Sequence, residues 1–295
     1  MSAATQAAVL RLATRGSPLA RAQAALAAAA IREAGGPAAE LVVVRTAGDR
    51  NQTTPIDQMD GQGWFTAEIE RALLDGRADI AVHAAKDLPT ELADGLEVAA
   101  YLPRADPRDA LVSRTGGGLE SLPDGAVVGT SSARRGALLA ELRPGLRAVP
   151  IRGNVDTRLR KLDEGEVDGL LLAAVGLDRL GLSGRIGERL DPRRFVPAPA
   201  QGAIALEVAG GRAASASARA AGHAPTSLAV ATERALLREL GGGCLLPLGA
   251  WARLEGGALV LSAALGGGGA VRHVELEGDP EHAAELVTRA GAALR

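Results

Sequence analysis

Hydrophobic positions alternate or recur at helical spacing through the first third of the chain, which predicts a succession of short strands and helices. Residues 8–14 alternate as in a half-buried strand. Ser17 and Pro18 are typical of an N-cap and a first helical residue, so they predict an Ala-rich helix that ends at Gly35. Next come a buried strand, a helix and a further strand, predicted at residues 41–45, 66–75 and 78–83.

A second stretch with the same alternation begins near Pro107. Its strands are predicted at 126–130, 146–151 and 167–174, and its helices at 132–141 and 154–162. Strands that alternate with helices favour parallel sheets covered by helices, and such sheets bind ligands at the carboxyl ends of their strands, beside helix N-termini. A further strand is predicted within 197–208, and no internal sequence repeat stands out.

The last quarter of the chain has a different pattern. After a low-complexity segment at 209–225, interpreted as a linker, an amphipathic helix is predicted from about Thr226. Three strand-like runs separated by Gly-rich turns follow, and a closing helix begins near Pro280. This order predicts a small α+β domain with an antiparallel sheet.

Length and composition are those of an ordinary globular protein with two or three domains. The chain has 295 residues, of which 47% are hydrophobic and 23% charged. A net charge of −2 argues against a nucleic-acid partner, and an aromatic content of 2% leaves little for base stacking. No apolar run suits a membrane helix and the N-terminus lacks a signal-peptide pattern, so a cytoplasmic protein with no membrane partner is expected.

Arginines occupy the predicted strand-to-helix corners. All 33 basic residues except Lys86 and Lys161 are Arg. Helix N-termini favour anions, and guanidinium groups pair with carboxylate or phosphate in a bidentate manner. The pattern therefore predicts a cleft for a ligand with several negative groups, although these arginines could instead pair with acidic side chains of the protein. The residues concerned are Arg15, Arg134, Arg135, Arg152 and Arg158, with hydroxyl groups from Thr130, Ser131 and Ser132 at one corner.

Asp87 and Cys244 are further candidates for chemistry. Asp87 follows the strand at 78–83 and, in a cation-rich cleft, would stay ionised and act as an acid or base or stabilise a developing cation; the alternative is a helix cap. Cys244 is the single cysteine, which excludes an internal disulfide and a multi-cysteine metal site. Three preceding glycines favour an accessible thiol over a small buried hydrophobe. His83 is interpreted as structural, and no metal site is predicted.

Seven segments occur in order across nearly the whole chain: RLATRGSPLARAQA, GWFTAEIERALLDGRADIAVHAAKDLP, RADPRDALVS, GTSSARR, RGNVDTRL, AQGAIALE and GGGCLLPLG. Together they resemble the hydroxymethylbilane synthase family, also called porphobilinogen deaminases, of tetrapyrrole biosynthesis. The resemblance implies an α/β fold with two periplasmic-binding-protein-like (type II) lobes and a small α+β C-terminal domain. The implied boundaries are 1–102 with 198–222 for domain 1, 103–197 for domain 2 and 223–295 for domain 3.

The resemblance also implies a reaction and a cofactor. The family joins four porphobilinogen molecules head to tail, with loss of ammonia, on a covalent dipyrromethane primer, and releases hydroxymethylbilane by hydrolysis. The primer is attached through a thioether to the cysteine that matches Cys244. A monomer is implied as well.

Individual roles follow by matching positions in the family's motifs. Asp87 matches the catalytic aspartate, which helps ammonia leave and stabilises the resulting cation. The positions that match cofactor contacts are Lys86, Thr130, Ser132, Arg134, Arg135, Arg158, Gln201 and Gly202. Those that match substrate contacts are Arg15, Ser17, Arg152 and Phe65.

Some positions depart from the family pattern. Gln58 and Gln62 stand where lysines are usual in the polar 47–63 loop, and Ala200 replaces a usual glycine before Gln201. Two other functions stay open from the residues alone. One is a two-lobed anion-binding protein without catalysis, which would not need Asp87. The other is a phosphate-handling enzyme, for which no cluster of metal-binding carboxylates stands out.

Overall fold

The computed structural model describes residues 9–46, 66–243 and 246–295. The described residues separate into two compact units, the first made of 9–46, 66–104 and 204–227, the second of 105–203, 228–243 and 246–295. The C-terminal region thus belongs to the second unit, although it has a sheet of its own. The three-domain division given above stays a prediction.

Strands and helices alternate along most of the chain. The strands are β1 (Leu10–Arg15), β2 (Ala39–Val44), β3 (Ile80–Ala84), β4 (Leu96–Tyr101), β5 (Asp109–Ser113), β6 (Val127–Gly129), β7 (Arg147–Val149), β8 (Gly169–Ala173), β9 (Glu188–Arg189), β10 (Ile204–Ala209), β11 (Leu248–Glu255), β12 (Ala258–Gly267) and β13 (Ala270–Gly278). The helices are α1 (Pro18–Glu33), α2 (Ala67–Leu74), α3 (Ala133–Leu142), α4 (Val155–Asp163), α5 (Ala174–Arg179), α6 (Ala214–Ala220), α7 (Ala224–Glu239) and α8 (Ala283–Leu294).

The first unit is built on a five-stranded sheet in the order β2-β1-β3-β10-β4. Strands β1, β2 and β3 are parallel, whereas β10 runs antiparallel to both β3 and β4. One face of the sheet buries α1 and α6, and the other buries α2 with Ile69 and Leu73. The carboxyl ends of β1 and β3 therefore lie side by side at one edge.

The second unit contains a sheet of the same design, in the order β7-β6-β8-β5-β9. Here β6, β7 and β8 are parallel, and β5 is antiparallel to its neighbours β8 and β9. The two sheets thus match strand for strand, with β10 and β5 as the reversed strands. This is a repeat of topology that the sequence analysis did not find as an internal repeat.

The C-terminal region adds the antiparallel meander β11-β12-β13, covered by α7 and α8. Ala264 of β12 packs in the same buried cluster as Leu138 and Leu139 of α3, which explains why this region and the second sheet form one unit. The fold class expected from the resemblance, two α/β lobes and a small α+β region, is confirmed.

Helix α1 begins as its sequence predicts. Ser17 is the N-cap, and its Oγ accepts the N–H of Ala20 at 3.2 Å, while Pro18 fills the first helical position. Helix α1 then buries one face, with Ala24, Ala27 and Ile31 against the sheet.

Several predictions about strands are wrong. The segment 41–45 is not a buried strand, since β2 is at the edge of its sheet and exposes Leu41 and Val43. The sheets are mixed rather than parallel, and the strand expected within 197–208 begins only at Ile204. The segment 209–225 is more than a linker, because α6 packs Ala218 into the core of the first unit.

None of the helices in the described ranges is long and apolar enough to cross a bilayer.

Candidate active site

Asp87 lies at the carboxyl end of β3, where the prediction placed it. It is the last residue of a single 3₁₀ turn, Ala85–Asp87, which excludes the alternative of a helix N-cap. Both Lys86 and Asp87 are exposed, whereas Ala85 and Leu88 on either side of them are buried. The buried neighbours fix the backbone, so the two charged side chains project from a rigid strand end.

A buried hydrogen bond ties this strand to the neighbouring strand β10. His83 on β3 lies 3.0 Å from Glu207 on β10, Nε2 to Oε2, and both side chains are almost completely buried. His83 is therefore structural, as predicted. Burial, and then the negative charge of Glu207, raise the pKa of the nearby Glu70 carboxyl on α2 above its ordinary value. Three ionisable groups are thus packed beneath the turn that bears Asp87.

Arg15 and Ser17 flank the first strand-to-helix corner. Arg15 is the last residue of β1 and is half-buried. The corner after it is held by Ser17, whose Oγ caps α1, and by Thr14, whose hydroxyl donates to the carbonyl of Ala20 at 3.1 Å. Arg15 therefore stands beside the N-terminus of a helix, as anion binding requires.

The corner between β6 and α3 is tied by hydroxyl groups. Thr130 Oγ1 accepts the N–H of Ser132 at 3.2 Å, and Ser132 Oγ, as the N-cap of α3, accepts the N–H of Arg135 at 3.3 Å. Ser131 Oγ donates to the carbonyl of Ile151 at 2.7 Å and accepts the Ile151 N–H at 3.1 Å. These bonds fix the first turn of α3, from which Arg134 and Arg135 project.

Arg134 and Arg135 are buried and share a counter-ion that the sequence analysis did not identify. Asp109, the first residue of β5, is fully buried; its Oδ2 lies 2.6 Å from Arg134 Nη1, and its Oδ1 lies 2.9 Å from Arg135 Nε. Burial alone would raise the pKa of Asp109, but the two guanidinium charges outweigh it and hold that pKa well below its usual range. The alternative of pairing within the protein thus applies to both arginines.

This cluster carries the charge and a donor for a further anion. Two guanidinium groups and one carboxylate carry a net positive charge, and Nε of Arg134 is buried with no hydrogen-bond partner among the residues that the structure describes. A buried N–H donor without an acceptor is costly, so the acceptor of a bound ligand would be favourable at this position. A carboxylate-bearing ligand such as the dipyrromethane cofactor fits this donor.

Gln201 and Gly202 also belong to this unit. Gln201 is fully buried, and its Nε2 donates to the Pro107 carbonyl at 2.7 Å and to Asp109 Oδ1 at 3.1 Å. Gly202 has a φ of 94°, which suits glycine, and its carbonyl accepts from Arg179 Nη2 at 2.8 Å. Burial lowers the pKa of Arg179 to about 10, so the group stays charged at neutral pH.

Arg152 and Arg158 lie at the corner that follows β7. Both are half-buried, and Arg158 Nε donates to the carbonyl of Gly153 at 2.8 Å in the first turn of α4. The structure thus confirms the placement of the predicted arginines at strand-to-helix corners within their own units.

Some predicted site residues fall outside the described ranges. They are Phe65, Cys244, and Gln58 and Gln62 of the 47–63 loop. Within the described part of the chain, no group of three or more His, Cys, Asp or Glu side chains could hold a metal ion.

Solved structures of low sequence identity resemble the chain over most of its length. A periplasmic substrate-binding protein of an ABC transporter from Coxiella burnetii aligns with 77% of this chain and 97% of its own, at 15% identity and a TM-score of 0.46. Lipoprotein Tp32 from Treponema pallidum aligns with 72% of this chain and 88% of its own, at 17% identity and the same TM-score, 0.46.

Sequence relatives are much closer. The porphobilinogen deaminase of Syntrophobacter fumaroxidans is 46% identical over 256 residues, which are 86% of this chain and 83% of that protein. The porphobilinogen deaminase of Albidiferax ferrireducens is 50% identical over 227 residues, or 77% and 72% of the two chains.

Two family models match the chain one after the other. Residues 10–217 match the model described as porphobilinogen deaminase, dipyromethane cofactor binding domain. Residues 227–295 match the model of the porphobilinogen deaminase C-terminal domain. The chain belongs to the porphobilinogen deaminase family.

Proposed function

We propose that the protein is a hydroxymethylbilane synthase, a transferase that joins four porphobilinogen molecules head to tail on a covalent dipyrromethane primer and releases hydroxymethylbilane by hydrolysis. The observation that carries the proposal is the buried Arg134–Arg135–Asp109 cluster, with its net positive charge and an Nε of Arg134 that has no acceptor in the described part of the chain. Porphobilinogen and the primer both bear acetate and propionate groups, which are the anions that such a cluster recognises.

Asp87 is the group that we assign to the chemistry. In each cycle the C–N bond of the substrate's aminomethyl group breaks, ammonia leaves, and the methylene carbon bonds to the free α-carbon of the terminal pyrrole, which then loses its proton. The carbon left by ammonia is cationic, and a carboxylate fixed at a strand end stabilises that charge without rearrangement. Asp87 meets this need because it is exposed on a turn whose flanking residues are buried.

The remaining assigned residues bind and orient carboxylates. By their match to the family's motifs, Arg134, Arg135 and Lys86 are each assigned to contacts with the cofactor, and Cys244 is assigned to the thioether. When bound, the cofactor supplies the pyrrole on which the chain is extended. The other proposed cofactor contacts are Thr130, Ser132, Arg158, Gln201 and Gly202, and the proposed substrate contacts are Arg15, Ser17, Arg152 and Phe65.

We further propose a cytoplasmic monomer without nucleic-acid or membrane partners. The net charge of −2 and the aromatic content of 2% support the absence of a nucleic-acid partner. Gel filtration with light scattering tests the oligomeric state, since a mass near 29.9 kDa is expected for the monomer.

Intact-protein mass spectrometry of the purified protein and of Cys244→Ser tests the function. The expected result is a mass above the polypeptide by one dipyrromethane unit, absent from the variant, and a ladder of further additions when porphobilinogen is supplied. A wild-type protein that gains no mass after incubation with porphobilinogen would overturn the proposal in favour of an anion-binding protein without catalysis.

A further inference from the structure

The carboxylate of Asp109 makes more polar contacts than its position in the sequence suggests. Its Oδ2 binds Arg134 Nη1 at 2.6 Å. Its Oδ1 lies 2.9 Å from Nε and 2.7 Å from Nη2 of Arg135, and accepts from Gln201 Nε2 at 3.1 Å. Both oxygens are therefore bound by protein donors, which hold the carboxylate in one orientation.

The two arginines use Asp109 in different ways. Arg135 directs all three guanidinium nitrogens to protein oxygens, since Nη1 donates to the carbonyl of Leu171 at 3.0 Å while Nε and Nη2 face Asp109. The hydrogen bonds of Arg134 to other described residues run through Nη1, which binds both Asp109 and the carbonyl of Val196, the latter at 2.8 Å. Its Nε is buried and has no partner within 9–46, 66–243 and 246–295. The Nε side of Arg134 is thus the part of the pair that remains for a ligand.

We infer that Asp109 is a positioning residue for both arginines: its buried carboxylate holds Arg135 through Nε and Nη2 and Arg134 through Nη1, so that the Nε edge of Arg134 faces the carboxylate of the ligand. The inference rests on the proposed function, because it takes the ligand to be the cofactor or its precursor. It assigns a role to Asp109, which touches neither reacting atoms nor ligand, and it separates the roles of two adjacent arginines.

Electrostatics explains why the charge of Asp109 matters. Two guanidinium groups on consecutive residues of one helix repel each other when buried, and a single carboxylate between them removes most of that repulsion. A guanidinium held in one rotamer by a charge-assisted hydrogen bond also loses less freedom when a ligand binds. Without Asp109, Arg134 would keep its bond to the Val196 carbonyl but lose the charged partner that fixes the direction of its Nε edge.

The test measures how fast apo-protein gains the cofactor mass on incubation with porphobilinogen, followed by intact-protein mass spectrometry. Asp109→Asn, close in shape but uncharged, is expected to load about tenfold more slowly or worse. Asp109→Glu keeps the charge but displaces the carboxylate by one methylene, and it should also load more slowly. Loading of either folded variant at the wild-type rate would overturn the inference, and Asp109→Glu decides alone if Asp109→Asn is insoluble.

Two controls separate positioning from simple loss of stability. Asp106→Asn removes a carboxylate three residues away that pairs with Arg108 and Arg189 instead. Leu162→Ala opens a cavity in the core beneath α4, where Leu162 is fully buried. Both control variants should gain the cofactor at the wild-type rate. This should hold even if their thermal unfolding midpoints are lowered as much as the midpoint of Asp109→Asn. Slow loading in step with the midpoint across all three variants would mean that Asp109 is merely structural.

A double-variant comparison tests whether Asp109 acts through Arg134. If it does, Asp109→Asn combined with Arg134→Gln should load no more slowly than the slower single variant, whereas independent effects would multiply. Multiplied effects would contradict the inference. The wild-type protein separates a failure of the proposed function from a failure of the inference. If the wild type never gains cofactor mass, the proposed function fails. If the wild type and Asp109→Asn both gain it at the same rate, only the inference about Asp109 fails.

Discussion

The backbone N–H of Ala200 donates to the buried Oε2 of Glu233 at 2.6 Å, and Ala200 has a φ of 63°. The other carboxylate oxygen, Oε1, accepts the N–H of Ala252 at 2.7 Å. Glu233 of α7 therefore joins the turn before Gln201 to strand β11 of the C-terminal region, within a single unit. Gln201, the next residue after Ala200, contacts Asp109, and Asp109 binds Arg134. Glu233 is therefore connected to Arg134 through a series of buried polar contacts.

Removal of the Glu233 charge is expected to destabilise the second unit. Glu233→Gln places an amide N–H against one of two backbone donors, and the loss of charge-assisted bonds should lower the free energy of unfolding by about 2–4 kcal/mol. Urea unfolding of the variant measures this. Glu239→Gln, on the same helix but paired with Arg295 at the surface, should cost less than about 1 kcal/mol. Equal losses in the two variants would contradict the assigned role of Glu233.

Ala200 stores strain that a glycine would release. Ala200 is the one non-glycine residue with a positive φ in the described ranges. The left-handed conformation costs about 1–2 kcal/mol for a residue with a Cβ, and a glycine at this position would avoid that cost. Against this gain stands the greater conformational entropy of glycine in the unfolded chain, which costs about 0.4–1 kcal/mol. Ala200→Gly should therefore raise the free energy of unfolding by roughly 0.5–1 kcal/mol. Urea unfolding measures this change. A lower free energy of unfolding for Ala200→Gly than for the wild type would show that the turn needs the methyl group.

Local signals in the sequence were sufficient for much of the fold. Ser17 and Pro18 mark the start of α1, because an N-cap oxygen and a fixed proline φ act within one turn of the chain. The three strands from Leu248 to Gly278 were expected for a similar reason, since Gly-rich turns separate them. The corners that hold the predicted arginines follow from the same local boundaries.

The elements that were missed depend on distant contacts. Strand β5 is five residues long and wholly buried, yet its start at Asp109 resembles a polar loop, and its partners β8 and β9 lie at least 55 residues further along the chain. Its antiparallel direction is a property of the whole sheet. Asp109 escaped notice as a site residue for the same reason, because its two arginines are 25 and 26 residues away. The signals available were a charged residue heading a short apolar run and its place in the family-like segment RADPRDALVS.

The buried acid Glu70 makes stability dependent on pH in a defined direction. Its folded-state pKa is raised above the ordinary value of 4.5, chiefly by burial and next by the charge of Glu207. The folded state therefore favours the protonated carboxyl. The contribution of Glu70 to the free energy of unfolding is fully present below pH 4.5 and is lost as the pH rises through the raised pKa. Glu70→Gln should match the wild type at pH 4 and become increasingly more stable than it toward pH 7.

Thermal or urea unfolding of both proteins across this range measures the difference. Glu33→Gln is the matched control, because Glu33 is exposed at the end of α1 and its replacement should change stability by less than about 0.5 kcal/mol at every pH. A Glu70→Gln protein whose advantage is greatest at acid pH would show that the carboxyl is ionised and paired in the folded state.

Asp87→Asn tests the chemical step apart from cofactor assembly. The substitution keeps the shape of an exposed side chain on the Ala85–Asp87 turn, so the fold and the bound cofactor should be intact by thermal unfolding and intact mass. Turnover should fall by about 10²- to 10⁴-fold, because an amide cannot stabilise a developing cation or accept a proton. Asp75→Asn, which breaks a surface pair with Arg77 in the same unit, should leave turnover unchanged. Full turnover in Asp87→Asn would remove the carboxylate from the mechanism and leave the arginine cluster as a binding device alone.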